Sequence, residues 1–534
     1  MNRRWIHRVG GSVALLFVLT LRIPYAQALG FDELFQDETS QIVAEISSSG
    51  ELKPFANLPL PLLHFLILEK KHLYLEPTGH LLVDRAGTVR SGSKQKYDVP
   101  EDEYHPRHFR PFFVKGFWVP EEEGESFSIL GPESRLPLVR TNLAGRKEIL
   151  FLVHPRSEPL FAPLMATYAS SLVEVPALAL SSFRTLLVAI PTGDNHWTHL
   201  MVKVSLDKVI NGTHRILSLK ECASALGTSF VLKDKAPCLS IMEEVFSFVP
   251  RADLLSKPDS APANFRAGMI VRPISPLLLD SRLRVVPLFS LFGRANRGLL
   301  GNMIVNSGLS PTEFVVEKIL RPYAALVVDM VVRKKISIEA HSQNLMLLLD
   351  AETLQPREGG EFVYRDMGGV SLLLGAEELK KLPSPLGQAK HFYCETFIKD
   401  AVATLEGHFV SRVLFSLTKE FTQDSFYEAN DAQFREWKQQ SEPYLSNWMT
   451  PDRDDDSHVE KLTADKYFQY GYFERIFGSL LMQELGDQGI LRAIKPPSLV
   501  TPMLSKFARD LENPLPSNGF ENLLRTVLEN SADE

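Results

Sequence analysis

Between Ile338 and Asn344 the chain reads Ile-Glu-Ala-His-Ser-Gln-Asn, which sets an acid (Glu339), an imidazole (His341) and two amides (Gln343, Asn344) side by side. These polar groups interrupt a largely apolar run from Ala324 to Leu349. A second stretch, Tyr364 to Gly369, places a base (Arg365) beside an acid (Asp366) ahead of two glycines. Polar groups this dense are costly to bury unless they bind one another or a ligand. The pair therefore reads as the floor of an active site for a nucleotide, a divalent cation and a polyanionic acid.

Upstream, Ser182, Arg184 and Thr185 form a cluster, Lys203 projects from the next strand, and Arg215 follows a hairpin turn. Two hydroxyls and three cations suit a triphosphate: Arg grips phosphate as a fork, Lys acts as a point charge, and hydroxyls donate to the remaining oxygens. The plainer alternative is a sheet with a charged outer face, and spacing alone does not separate the two. Other phosphate and nucleophile devices are missing. The glycine-rich stretch Phe292–Asn302 lacks Gly-Lys-Ser/Thr, and there is no Gly-x-Ser-x-Gly elbow and no His-Glu-x-x-His or cysteine zinc pattern. His105 and His108 lie in a polar loop, where histidines are more often solvated than metal ligands.

The elements that must carry these residues follow from periodicity. Phe31 to Ile46 has apolar residues at helical spacing, and Leu73 to Val89 suggests a hairpin. Glu148 to Val153 reads as a strand ending at His154-Pro155. The apolar run Leu178 to Ile190 is broken at Ser181–Thr185. From His199 to Leu206 the residues alternate, with Leu200, Val202 and Val204 on one face and Met201, Lys203 and Ser205 on the other. Asn211-Gly212-Thr213 marks a turn, and a helix from Ile216 to Leu226 is expected to close at Gly227. Beyond about residue 280 helix predominates: Thr312 to Val332, then regions near 376–382, 389–421, 428–445, 459–484 and 497–511. The acidic stretch 450–456 reads as a solvated connector.

A chain of 534 residues exceeds one core, so two or three domains are expected. The net charge of −7 and the lack of a long basic run argue against nucleic acid as a partner. The three cysteines, Cys222, Cys238 and Cys394, show no metal-ligand spacing and predict no disulfide framework, with room at most for one Cys222–Cys238 bridge. The start is basic (Asn2 to Arg8), then apolar (Val13 to Leu21), then Ala26-Gln27-Ala28, the layout of a signal peptide cleaved after Ala28. That predicts a periplasmic or secreted protein with no membrane contact beyond the leader. A start codon set too far upstream would instead leave it cytoplasmic.

An ordered series of motifs gives a further reading. His154-Pro155, then Ser181–Thr185, Lys203–Leu206, Gly212–Arg215, Glu339–Asn344, Arg365–Gly369, and lastly Lys506 with Asn513–Leu515, run in the order of one family. Through them, over roughly residues 146–515, the chain resembles the NRPS-independent (NIS) siderophore synthetases of aerobactin synthetase-like type, as a divergent member. After the leader (1–28), the resemblance implies an α+β, hand-like fold: a divergent thumb-like region (29–145), a sheet-based fingers domain (146–335) and a mostly helical palm (336–534). It implies ATP- and Mg²⁺-dependent adenylation of a citrate-like polycarboxylate and condensation with an amine or alcohol. Ser182, Arg184, Thr185, Lys203 and Arg215 would hold the phosphates. His341, Gln343 and Asn344 would line the nucleotide and acid site, with His341 also taking a proton. Glu339 and Asp366 would hold Mg²⁺, and Arg365 would position the acid or orient Asp366. The thumb motif is poorly matched at Tyr104–His108, and His154-Pro155 continues Arg156-Ser157 rather than Trp-Gln. These departures and the leader frame a rival reading: an exported, non-catalytic relative that binds a carboxylate or siderophore. Homodimerisation stays open.

Overall fold

The computed structural model describes residues 29–48, 50, 53–71, 104, 110–256, 265–373, 394–449, 471–493, 502, 523 and 525–528, less 124–126, 132–136, 143, 194–195, 211–212, 237, 293–296 and 358–361. The expected leader, the hairpin at 73–89, His105, His108, the helix at 376–382, the acidic connector, Lys506 and Asn513–Leu515 lie outside these residues.

Seventeen strands are numbered here in chain order: β1 (Phe112–Pro120), β2 (Phe127–Leu130), β3 (Val139–Thr141), β4 (Lys147–Val153), β5 (Leu172–Ala179), β6 (Thr185–Gly193), β7 (His196–Val204), β8 (Val209–Ile210), β9 (Thr213–His214), β10 (Ser240–Ile241), β11 (Phe246–Pro250), β12 (Met269–Arg272), β13 (Leu283–Pro287), β14 (Ile336–Ser337), β15 (Leu345–Asp350), β16 (Phe362–Tyr364) and β17 (Ser371–Leu372). Nine form one antiparallel sheet in the order β2-β11-β12-β7-β6-β5-β1-β4-β3. A smaller sheet, β10-β16-β15-β13, has one parallel pair, β10 with β16. With long helices beside these sheets, the chain is α+β. The large sheet takes strands from both sides of the expected 145/146 boundary, and the small one from both sides of 335/336. Antiparallel strands pair without regard to sequence distance, so composition shifts along the chain did not reveal these joins.

Alternation in β6 and β7 divides two cores. Leu186, Val188, Ile190, Leu200, Val202 and Val204 pack with the helix Glu158–Thr167 on one face. Leu187, Ala189 and Met201 join the larger core, which runs through the small sheet and the helices. Lys203 shares the phase of Met201, so the expected alternation puts it on the face toward the small sheet. Continuous helix runs from Pro311 to Arg333, as expected, with π-helical turns at Val316–Leu320 and Val328–Arg333. A second continuous run, from Cys394 to Gln423, includes a π-helical segment at Leu405–Leu414.

One expectation is corrected. The helix expected to end at Gly227 spans Leu219–Lys235, opened by a Ser218–Glu221 capping box. A mid-helix glycine costs about 1 kcal/mol, and burial of Val231 and Leu232 further along offsets it. Cys222 and Cys238 are both free: the first is buried within that helix, while the second donates to Asp329 Oδ2.

The helices Phe31–Leu34, Gln36–Ser48 and Leu60–Lys71 are clamped to β13 by Arg284. Its guanidinium donates to Asp32 Oδ1 (2.5 Å) and, through Nε, to His64 Nδ1 (3.0 Å). Since Nδ1 accepts, the His64 proton sits on Nε2, which lies 3.1 Å from Thr39 Oγ1. Burial and then the Arg284 charge hold the ring neutral and push its pKa down to about 4. The unfolded chain takes up that proton near pH 6.5, so this contribution is complete above 6.5 and is lost as pH falls toward 4. Unfolding free energy should drop by roughly 3 kcal/mol across that interval from this group. His64→Gln, whose amide can make both hydrogen bonds, should flatten the slope in denaturant titrations; an unchanged slope would refute the assignment.

Candidate active site

The β6–β7 register sets Thr185 opposite Lys203, and the β7–β12 register sets Met201 opposite Arg272. All of these lie at the β12 end of one face, against the loop after β14 and the loop after β16. There a cleft of about 570 Å³, including its open mouth, is lined by Ser182, Phe183, Arg184, Thr185, Lys203, Arg215, Arg272, His341, Gln343, Asn344, Arg365 and Asp366. Every residue expected at the site lines it except Glu339.

Two backbone outliers stand at opposite walls. Phe183 (φ 62°) and Asp366 (φ 73°) are non-glycine residues in the left-handed region, which for a bulky phenylalanine is a strained state that persists only where its surroundings enforce it. At Phe183 the enforcement is local: its N–H donates to Leu180 O, and Ser182 Oγ donates to Thr185 Oγ1 (2.7 Å) and accepts from Thr185 N (3.1 Å). At Asp366 the carbonyl accepts from the Tyr364 hydroxyl (3.2 Å) and from Gly369 N (3.0 Å).

Charge is organised in two layers. In the first, Lys203 Nζ donates to Asp366 Oδ1 at 2.5 Å and lies 3.7 Å from Glu244 Oε1. Glu244 in turn accepts from Arg272 at 2.8 Å. The Glu244 side chain is fully buried and Lys203 is 7% exposed, whereas Asp366 is 32% exposed. Burial opposes ionisation of Asp366, but the Lys203, Arg184 and Arg272 charges outweigh it and hold the carboxyl well below the usual carboxylate range. In the second layer Arg365, which also lines the cleft, is bonded within the protein. It pairs with Glu69 (2.8 Å) and donates to Gln343 O (2.9 Å) and Ser181 Oγ (3.3 Å). Glu69 Oε2 accepts from Ser181 Oγ (2.6 Å), and Gln343 Nε2 donates to Ser181 Oγ (3.1 Å).

Five cations (Arg184, Lys203, Arg215, Arg272, Arg365) thus meet three carboxylates (Asp366, Glu244, Glu69), a surplus that suits a polyanion. His341 Nδ1 accepts from Gln343 N (3.2 Å), so the neutral ring carries its proton on Nε2. In that tautomer Nε2 is a donor. Glu339 departs from expectation. Its carboxylate pairs with His408 (3.3 Å) and sits where a Cβ on Gly369 would stand 2.4 Å from Oε2. It does not line the cleft beside Asp366, and no cluster of three or more His, Cys, Asp or Glu suited to a metal occurs among the described residues. A phosphate-bound magnesium ion needs only one or two protein carboxylates, and Asp366 is the acid that lines the cleft.

Arg272, Glu244, Glu69 and His408 escaped the sequence reading. Arg272 ends an apolar strand, and Glu69 closes the apolar run of the helix Leu60–Lys71. A lone charge closing a buried element needs a partner, and that was the available signal.

No protein-family profile matches the chain, and no curated protein does. Among solved structures, aerobactin synthetase IucC from a hypervirulent pathotype of Klebsiella pneumoniae aligns over 92% of this chain and 86% of its own, at 16% identity and a TM-score of 0.49. ATP-bound aerobactin synthetase IucA from the same source aligns over 82% and 80%, at 14% identity and 0.47. Petrobactin biosynthesis protein AsbB from Bacillus anthracis str. Sterne aligns over 85% and 75%, at 16% identity and 0.43.

Proposed function

We propose that this chain is an ATP-dependent ligase of the siderophore-synthetase type, which adenylates a carboxylate of a citrate-like polycarboxylic acid and passes the acyl group to an amine or alcohol. One observation carries the reading: the hydroxyl and cationic side chains of the large sheet (Ser182, Thr185, Arg184, Lys203, Arg215) and the imidazole, amides and acid after β14 and β16 (His341, Gln343, Asn344, Asp366) line one cleft.

ATP and Mg²⁺, when bound, would supply the activating group and neutralise phosphate charge. The chain's own part is fixed electrostatics: Arg184, Lys203, Arg215 and Arg272 present positive charge where negative charge grows on departing phosphate, without reorganising at the moment of reaction. Asp366 is the candidate for the metal, and Glu339, held by His408, is dropped from that role. Protonated on Nε2, His341 would orient an acid oxygen as a donor, while the amides of Gln343 and Asn344 fix its position.

Pyrophosphate release by the purified chain, assayed over a panel of carboxylic acids, tests this. Release should require both Mg²⁺ and one tri- or dicarboxylic acid. Release that ignores the acid, or none with any acid, would overturn the reading.

A further inference from the structure

We propose that the Lys203–Asp366 pair is a latch that makes the cleft select an anion carrying its own divalent cation over the bare anion. The inference rests on the phosphate-binding reading above and adds to it a rule of selection.

The latch follows from where the pair sits. Lys203 and Asp366 are the two groups in the cleft best suited to opposite halves of a metal–phosphate ligand, and they are bonded to each other at 2.5 Å. A bare polyanion that draws Lys203 away leaves Asp366 ionised and facing more negative charge. A bare divalent cation at Asp366 leaves Lys203 facing positive charge. The chelate satisfies both broken halves at once. The Asp366 backbone is fixed by hydrogen bonds to its carbonyl from Tyr364 and Gly369, and behind Lys203 stands Glu244, itself held by Arg272. Glu244 Oε2 has no hydrogen-bond partner among the described residues, so this buried carboxylate keeps capacity for the ammonium if it leaves Asp366. Binding of anion and cation is then coupled, and by linkage the coupling is reciprocal.

Tripolyphosphate serves as the probe, titrated calorimetrically into the full chain in EDTA and again with Mg²⁺. For the unaltered protein, Mg²⁺ should tighten binding by about tenfold or more. Asp366→Asn keeps the side-chain size, and asparagine tolerates the left-handed backbone. In it, metal-free tripolyphosphate should bind roughly tenfold tighter than to the unaltered protein, and the Mg²⁺ enhancement should shrink to about threefold or less. The mirror variant, Lys203→Gln, should bind Mg²⁺ alone more tightly. If neither variant gains affinity for its bare ion while the unaltered protein binds tripolyphosphate, the latch is overturned and the phosphate site stands. If the unaltered protein binds tripolyphosphate under neither condition, both fall.

Discussion

Arg184→Ala should lower ATP-dependent pyrophosphate release by about 10²–10³-fold yet change the unfolding free energy by less than about 1 kcal/mol. The asymmetry comes from how the guanidinium is held. Arg184 is half-buried, and its hydrogen bond among the described residues goes to the Arg215 carbonyl, at 3.2 Å. Among the described residues no buried carboxylate forms a close ion pair with it. Lys203→Ala is the contrasting case. It should abolish release to a similar degree and also destabilise the fold by about 3–5 kcal/mol, because breaking a buried pair leaves an uncompensated charge. Glu244, fully buried, would keep only Arg272, and Asp366 would lose its nearest cation. The Asp366 contribution has its own pH signature. A depressed carboxyl pKa stabilises the fold above the unfolded value near 4 and is lost as pH falls below it. Lys203→Ala should therefore weaken the acid dependence of stability in that range. Denaturant titration and the release assay on both variants give the contrast directly. If Arg184→Ala proved as destabilised as Lys203→Ala, or kept full release, Arg184 would be a structural residue and the anion field would need another source.

What could be read from the chain, and what could not, follows from the range of the interactions. The face that Lys203 takes was legible because alternation is local: Leu200, Val202 and Val204 on one side force Met201 and Lys203 to the other. The break at Ser181–Thr185 was legible because hydroxyls and a cation end an apolar run, and it is the turn between β5 and β6. His341, Gln343, Asn344 and Asp366 were legible by type and by the motif order. Glu339, from the same motif, lies off the cleft beside His408, which comes from a π-helical segment far along the chain. The tautomer of His341 depends on one backbone amide, a feature that residue identity does not encode. Glu244 and Arg272 meet only once β11 and β12 pair at the end of the large sheet. Local patterns thus identified the groups that line the cleft, while the groups that neutralise and hold them came from elements joined only in the folded state.

That second set yields the other large effect. Glu69→Ala should destabilise the protein by about 3–5 kcal/mol, although Glu69 lines no part of the cleft. Its carboxylate is 2% exposed and pairs with Arg365, 6% exposed, at 2.8 Å, while also receiving the Ser181 hydroxyl and backbone N–H. Truncation strands the guanidinium in the interior and frees Ser181, which also receives Gln343 Nε2. Stability and release should therefore fall together. The double variant Glu69→Met/Arg365→Met removes both charges and keeps their volume, so it should recover most of the lost stability, because apolar replacement of a buried pair is often neutral or better. It also decides what Arg365 does. The guanidinium makes its described bonds to Glu69, Ser181 Oγ and the Gln343 carbonyl, so the expected role is to hold the Gln343 loop. Release by the double variant should then return to within about tenfold of the unaltered protein, with KM for the acid little changed. A refolded, stable double variant whose KM for the acid rose a hundredfold would instead place Arg365 on the substrate.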